Sequence, residues 1–166
     1  MEGSVFTTLS DRDASYMGQA IAWSRTARER GNRPFGAIIV AGDGKVLTEA
    51  YANSVETGDC TGHAETNAVS QASRTVSREI LQSATLYSSA EPCVMCAGAI
   101  FWSGIGRVIF GIDAVSLRVF RGERAEQRDV ELSCRDVFAA SPHAIECIGP
   151  VMVAEASEPH KGFWKN

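Results

Sequence analysis

The stretch EPCVMCAG, Glu91 to Gly98, puts two cysteines three residues apart just after a proline, and GHAET, Gly62 to Thr66, lies upstream of it. Residues three apart share one face of a helix, so Cys93 and Cys96 at a helix start turn both thiols to one spot. A helix N-terminus favours negative charge and lowers a thiol pKa. Such thiolates grip zinc, and they equally suit a redox pair, so the cysteines alone leave both open. His63 and Glu65 break the tie. In a regular helix residues two apart point about 200° apart, so both reach one metal site only if His63 sits at the cap, where the backbone turns. Gly62 before it suits that geometry. One imidazole and two thiolates give three ligands and leave zinc's fourth position to a water, whose pKa falls to roughly 7. A glutamate nearby but off the metal then takes and returns protons.

Hydropathy patterning says what kind of chain carries these stretches. Ser10 or Asp11 opens a helix with small or apolar residues at Ala14, Met17, Ala20 and Ile21, and Gly31 ends it. Ala37 to Val40, the turn Gly42-Asp43-Gly44 and Val46 to Tyr51 form a hairpin. A polar loop leads to a helix with Ala64, Ala68, Val69 and Ala72 on one face. Then follow a strand from Ala84 to Ser89, an apolar helix through CVMCAGAIFWSGI and a strand from Arg107 to Ile112. Arg118 to Asp129 is expected as a charged helix or loop, Ala144 to Gly149 as a last strand, and Val151 to Trp164 as a closing helix. Helices alternating with strands after a hairpin predict one α/β domain over residues 1–166, a three-layer α/β/α sandwich with a five-stranded mixed sheet.

Other properties bound the function. The net charge of −4 gives no electrostatic reason to expect avid binding to nucleic acid or acidic membranes. No apolar run approaches the ~18 residues of a membrane span. The N-terminus lacks a basic start and an apolar run, and the five cysteines favour reduced thiols and metal ligands over a disulfide framework. A cytoplasmic protein is expected. Arg118, Arg121, Arg124 and Arg128 recur at helical spacing, but Glu123, Glu126 and Asp129 interleave, which favours a solvated or interface face with local ion pairs over a nucleic-acid stripe.

Histidine-x-glutamate followed by proline-cysteine-x-x-cysteine is a zinc deaminase signature. Through RPFGAIIV, the asparagine before HAE, EPCVMCAGAI and IGRVIFG, the chain resembles the cytidine/deoxycytidylate deaminase superfamily from about Arg33 to Ile112. The branch is that of guanine deaminases, tRNA adenosine deaminases and yeast-type cytosine deaminases. The resemblance implies one Zn2+ per chain on His63, Cys93 and Cys96, with Glu65 as proton shuttle. It implies that Asn53 hydrogen-bonds the base, Phe35 lies beside the ring and the backbone of Ala64 faces the pocket. Hydroxide would attack the amino-bearing ring carbon, Glu65 would protonate the ring nitrogen and then the departing amine, and ammonia would leave. The family resemblance also implies a homodimer, with the apolar helix Val94 to Trp102 as a contributor.

Two other classes stand beside this reading. Cys60-x-x-His63 with Cys93-x-x-Cys96 would close a four-ligand zinc site in a non-catalytic structural module. A thiol oxidoreductase would use the CxxC pair and leave His63 idle. On substrate, RPFGAIIV, AIFW and the ending HKGFW resemble guanine deaminases, whose C-terminal aromatic residue closes over a small substrate, a role for Trp164 or Phe163. EPCVMCAGAI and IGRVIFG resemble the tRNA-editing enzymes instead, but the C-terminal segment lacks their basic helix. A free base or small nucleoside is therefore expected, led by a guanine-like purine and purine metabolism. Cytosine, other amino-pyrimidines, triazines and nucleosides remain open, because no acidic residue after Ile112 matches the one that reads the purine edge. A tRNA adenosine-to-inosine deaminase is the alternative.

Overall fold

The computed structural model describes residues 8–122 and 129–164. Chain order is α1 (Asp11–Glu29), β1 (Gly36–Val40), β2 (Val46–Tyr51), α2 (Ser54–Thr57), α3 (Ala64–Thr75), α4 (Arg78–Gln82), β3 (Thr85–Ala90), α5 (Val94–Ser103), β4 (Arg107–Ile112), α6 (Ala114–Arg121), α7 (Cys134–Ala139), β5 (Glu146–Ile148) and α8 (Val153–Ser157). A 3-10 turn, Glu158–His160, follows α8. The strands form one sheet in the order β2-β1-β3-β4-β5. β1 is antiparallel to β2 and to β3, whereas β3–β4 and β4–β5 are parallel. This is the expected mixed five-stranded sheet.

Both faces of the sheet are covered, which is why β1 is buried along its whole length and reads as a continuous apolar run. Strand alternation sends Ile38 and Val40 into a core with Met17 and Ile21 of α1, Leu117 of α6 and Ala156 of α8. It sends Ala37 and Ile39 to the opposite core, with Ala68 and Ala72 of α3, Ile100 of α5 and Phe138 of α7. Gly36 marks the tightest contact between layers. A Cβ there would stand 2.3 Å from the Ala20 carbonyl oxygen, so β1 enters the sheet against the backbone of α1. Asp13 of α1 ties the layers further, accepting from both Arg107 Nη atoms at 2.9 and 2.8 Å and from the Tyr87 hydroxyl at 2.6 Å.

Two expected elements differ. The closing helix is not continuous: it runs only over Val153–Ser157, tightens into the 3-10 turn, and ends in turns through Phe163. Pro159 has no N–H to donate back to Glu155, so an α-helix cannot pass through it. The arginine-bearing helix starts earlier than expected, at Ala114, because Asp113 caps it by accepting from the Ser116 N–H at 2.7 Å. It stops at Gly122, whose φ of 86° breaks the helix. Arg118 and Arg121 meet Asp129 and Glu131 in local ion pairs. Glu123, Arg124, Glu126 and Arg128 lie outside the described residues. The short helices α2, α4 and α7 were not expected, although Ser77 and Ser133 are ordinary caps for the latter two.

Candidate metal centre and cleft

α3 and α5 pack side by side on one face of the sheet, and their first residues meet. His63 is the N-cap of α3 and Cys93 the N-cap of α5, both with extended backbone (ψ 155° and 172°). At that position His63 escapes the splay that a helical backbone would impose against Glu65. Cys96 sits one turn into α5, on the same side as Cys93. His63 Nδ1 is 3.6 Å from Cys93 Sγ and 3.5 Å from Cys96 Sγ. The three ligand atoms all lie within 4.8 Å of one another. Two sulfurs and one imidazole nitrogen are a donor set that suits zinc and leaves a fourth tetrahedral position to a non-protein ligand. Cys60 is exposed and stands outside this group, so no fourth protein thiol closes the site among the described residues.

The local field favours charge on Cys93 and opposes it on Glu65. The Cys96 thiol beside it, more than the His63 imidazole, holds Cys93 down at about 4 against the effect of burial. Cys96 is pushed up by Cys93 and by burial. His63 is raised, chiefly by its contact with Cys93. Glu65 is 4% exposed, and burial raises its carboxyl pKa. Its Oε1 accepts from Ser88 Oγ at 2.7 Å, and its Oε2 lies 3.4 Å from Cys96 Sγ.

These side chains open into a cleft of about 1710 Å³. Phe35, His63, Glu65, Cys93 and Trp164 all line it, as does Phe163. Phe35 and Trp164 pack at a tilt, interplanar angle 56°, with ring centroids 6.2 Å apart. The rim carries five carboxylates, Glu91, Asp113, Asp129, Glu131 and Asp136. Of the three guanidiniums on the lining, Arg118 and Arg121 are paired with Asp129 or Glu131, and Arg33 is the third.

Asn53 and Ala64 do not contribute to this lining, although Ala52, Ser54, His63 and Glu65 on either side of them do. Asn53 is held firmly. Its N–H donates to the Gly62 carbonyl at 2.9 Å, and its Oδ1 accepts from Asn67 Nδ2 at the same distance. The other Asn67 amide proton goes to the Tyr51 carbonyl at 3.0 Å, so the atom of Asn53 facing it must be the acceptor, and Nδ2 is left as a donor. A Cβ on Gly62 would come within 2.5 Å of that Oδ1. Ser88, Asn67 and His160 were not read from the sequence. Asn67 falls one turn after His63, a helical spacing that singles it out. Ser88 and His160 reach the site only through tertiary packing.

Residues 10–112 match the family model of the cytidine and deoxycytidylate deaminase zinc-binding region. The Schizosaccharomyces pombe protein named "Probable cytosine deaminase" is 46% identical over 158 residues, 95% of this chain and 96% of that one. A structure from work on A-to-I editing by tRNA:A34 deaminases at the wobble position of transfer RNA superposes with a TM-score of 0.69 at 30% identity, covering 88% of this chain and 99% of the other. A guanine deaminase structure from Nitrosomonas europaea has a TM-score of 0.76 at 19% identity, covering 94% and 85%, and shares the fold.

Proposed function

The chain belongs to the cytidine and deoxycytidylate deaminase family, and from that premise we propose that it deaminates a free nucleobase or small nucleoside by hydrolysis, cytosine first. His63, Cys93 and Cys96 are the residues that would hold the zinc. When bound there, the ion supplies Lewis acidity that makes water a competent nucleophile near neutral pH. Glu65 carries the reading: it is a buried carboxyl next to the ligand trio but outside it, oriented by Ser88. It takes a proton from the attacking water and passes it to the ring nitrogen, then takes the remaining proton of the added hydroxyl and delivers it to the leaving amine. Water and the amino-bearing ring carbon thus become a carbonyl and ammonia. Phe35 and Trp164 lie beside the ring, and Asn53, behind the lining between Ala52 and Ser54, would have to turn its free Nδ2 donor into the cleft to meet a carbonyl oxygen of the base.

Two observations support a small substrate over a tRNA. The rim presents carboxylates in excess of guanidiniums, and those carboxylates repel the phosphates that supply most nonspecific nucleic-acid affinity. The relative named for cytosine covers nearly the whole of both chains at 46% identity, which supports cytosine over the guanine-like purine expected from the motifs. Among the described residues no helix is long and apolar enough to cross a membrane. Trp102, 77% exposed at the end of α5, supports the expected homodimer.

The test is ammonia release from cytosine, guanine, adenine, cytidine and a tRNA anticodon stem-loop, assayed in parallel. Cytosine is expected to be turned over fastest. Turnover of the stem-loop alone would overturn the small-substrate reading, and a zinc-loaded protein inert to every substrate would overturn the enzymatic one.

A further inference from the structure

His160 takes no part in the chemistry above, yet it is 1% exposed and lies against the wall of the cleft. Its ring packs on Phe35 at a centroid distance of 5.3 Å and stands parallel to Trp164, interplanar angle 7°. Trp164 Nε1–H donates to His160 Nδ1 at 3.1 Å. Nδ1 is therefore the unprotonated nitrogen and Nε2 carries the hydrogen. Burial, with Arg28 and Arg121 nearby, keeps the imidazole neutral and so keeps Nδ1 an acceptor. Nε2 is buried and finds no partner among the described residues, which costs free energy. The ring is thus placed for what Nδ1 does.

Trp164 needs such a partner. It follows the last turn of the chain's described part and belongs to no helix or strand, so its position depends on its side-chain contacts. Besides His160, these include Phe35, Phe163 and the Arg121 guanidinium over its ring at 5.6 Å. His160 in turn is bracketed by α1: Arg28 Nη1 donates to the carbonyls of Pro159 at 2.9 Å and Lys161 at 2.7 Å. A connected path runs from α1 through the 3-10 turn to the indole on the cleft.

We propose that His160 is a positioning residue for substrate binding, its Nδ1 fixing the Trp164 indole over the cleft so that the base meets a preformed aromatic wall. This rests on the reading that Trp164 covers the substrate. Preformed walls act on binding, because a loose indole must be ordered when the base enters. The effect therefore falls on KM and leaves kcat in place.

The experiment is a double-mutant cycle on the full-length, zinc-loaded protein, with His160→Phe, Trp164→Ala and both together. The substrate is cytosine, or whichever base the panel above identifies. His160→Phe retains an aromatic ring and removes the acceptor; it is expected to raise KM roughly tenfold, as loss of one hydrogen bond does, with kcat and zinc content unchanged. The double variant should match Trp164→Ala alone. His160→Asn retains an acceptor near the Nδ1 position and should restore KM toward the wild-type value; it also serves if His160→Phe does not fold. If Trp164→Ala leaves KM unchanged, the lid reading itself fails and takes the proposal with it. If Trp164→Ala raises KM while the His160 variants do not, or if the two effects add, the proposal alone is overturned. A fall in thermal stability with KM unmoved also overturns it.

Discussion

Two pairs of cysteines come close together in this fold, and their surroundings make them different. Cys93 and Cys96 meet at the start of α5 beside His63 and Glu65. Cys134 of α7 and Cys147 of β5 bring their sulfurs to 3.8 Å in the apolar layer around Phe138. At the first pair the Cys96 thiol, then the His63 imidazole and the backbone at the helix start, hold Cys93 down at about 4 against burial. At the second the shifts split the same way: contact with Cys147 and burial push Cys134 up, and contact with Cys134 lowers Cys147. What separates the pairs is the His63 imidazole beside the first and the apolar packing around the second. Close sulfurs therefore do not make a metal site. An imidazole aimed at them and a helix cap that tolerates negative charge do.

Removing a ligand is the strongest way to break this contrast. Cys93→Ser or His63→Ala is expected to take zinc from about one ion per chain to none and abolish turnover with it. Cys134→Ala should retain the ion, and so should Cys60→Ala. Metal analysis of protein purified without added zinc checks all four. Loss of zinc from Cys134→Ala would erase the distinction between the pairs. Loss from Cys60→Ala would revive the four-ligand structural module.

A second test separates holding the ion from using it. Glu65→Gln preserves the shape and the Ser88 hydrogen bond but cannot carry a proton, so turnover should fall by about 10²–10⁴-fold. Zinc content should not change, because Glu65 stands outside the ligand trio. Ammonia release and metal content measured on the same sample decide it. Full activity in Glu65→Gln would remove Glu65 from the mechanism.

What could be read from sequence follows the same division. The first pair was legible because its geometry is local: a CxxC spacing, a cap residue and a preceding glycine fix where three side chains point. The sheet was legible for a similar reason, since period-two runs and the Gly42-Asp43-Gly44 turn act over a few residues. The second pair was not, because Cys134 and Cys147 meet only through the packing of α7 against the edge of the sheet. His160 was missed in the same way. Its partners Phe35, Arg28 and Phe120 come from other elements, and the expectation of a continuous closing helix hid the turn that Pro159 creates.

Imidazoles repeat the contrast with opposite signs and give the mildest test. His63, beside a thiolate, is raised above its ordinary range, whereas burial, reinforced by Arg28 and Arg121, lowers His160 to about 4. An unfolded chain protonates its histidines near 6.5, so between 6.5 and 4 the unfolded state binds a proton that the folded His160 refuses. Stability from this group is fully present above pH 6.5 and drains away as the pH falls toward 4, amounting to about 3 kcal/mol across that window. Below it the imidazolium forms, Nδ1 gains a proton, and the Trp164 N–H loses its acceptor. His160→Asn, which does not titrate, should therefore show a shallower decline of urea midpoint from pH 7 to pH 4 than the wild type. Both proteins must be zinc-loaded, because protonation of the ligands adds its own slope equally to each. Parallel curves would mean that His160 is solvated or paired in the folded state, and that the buried imidazole is no counterpart to the one at the metal.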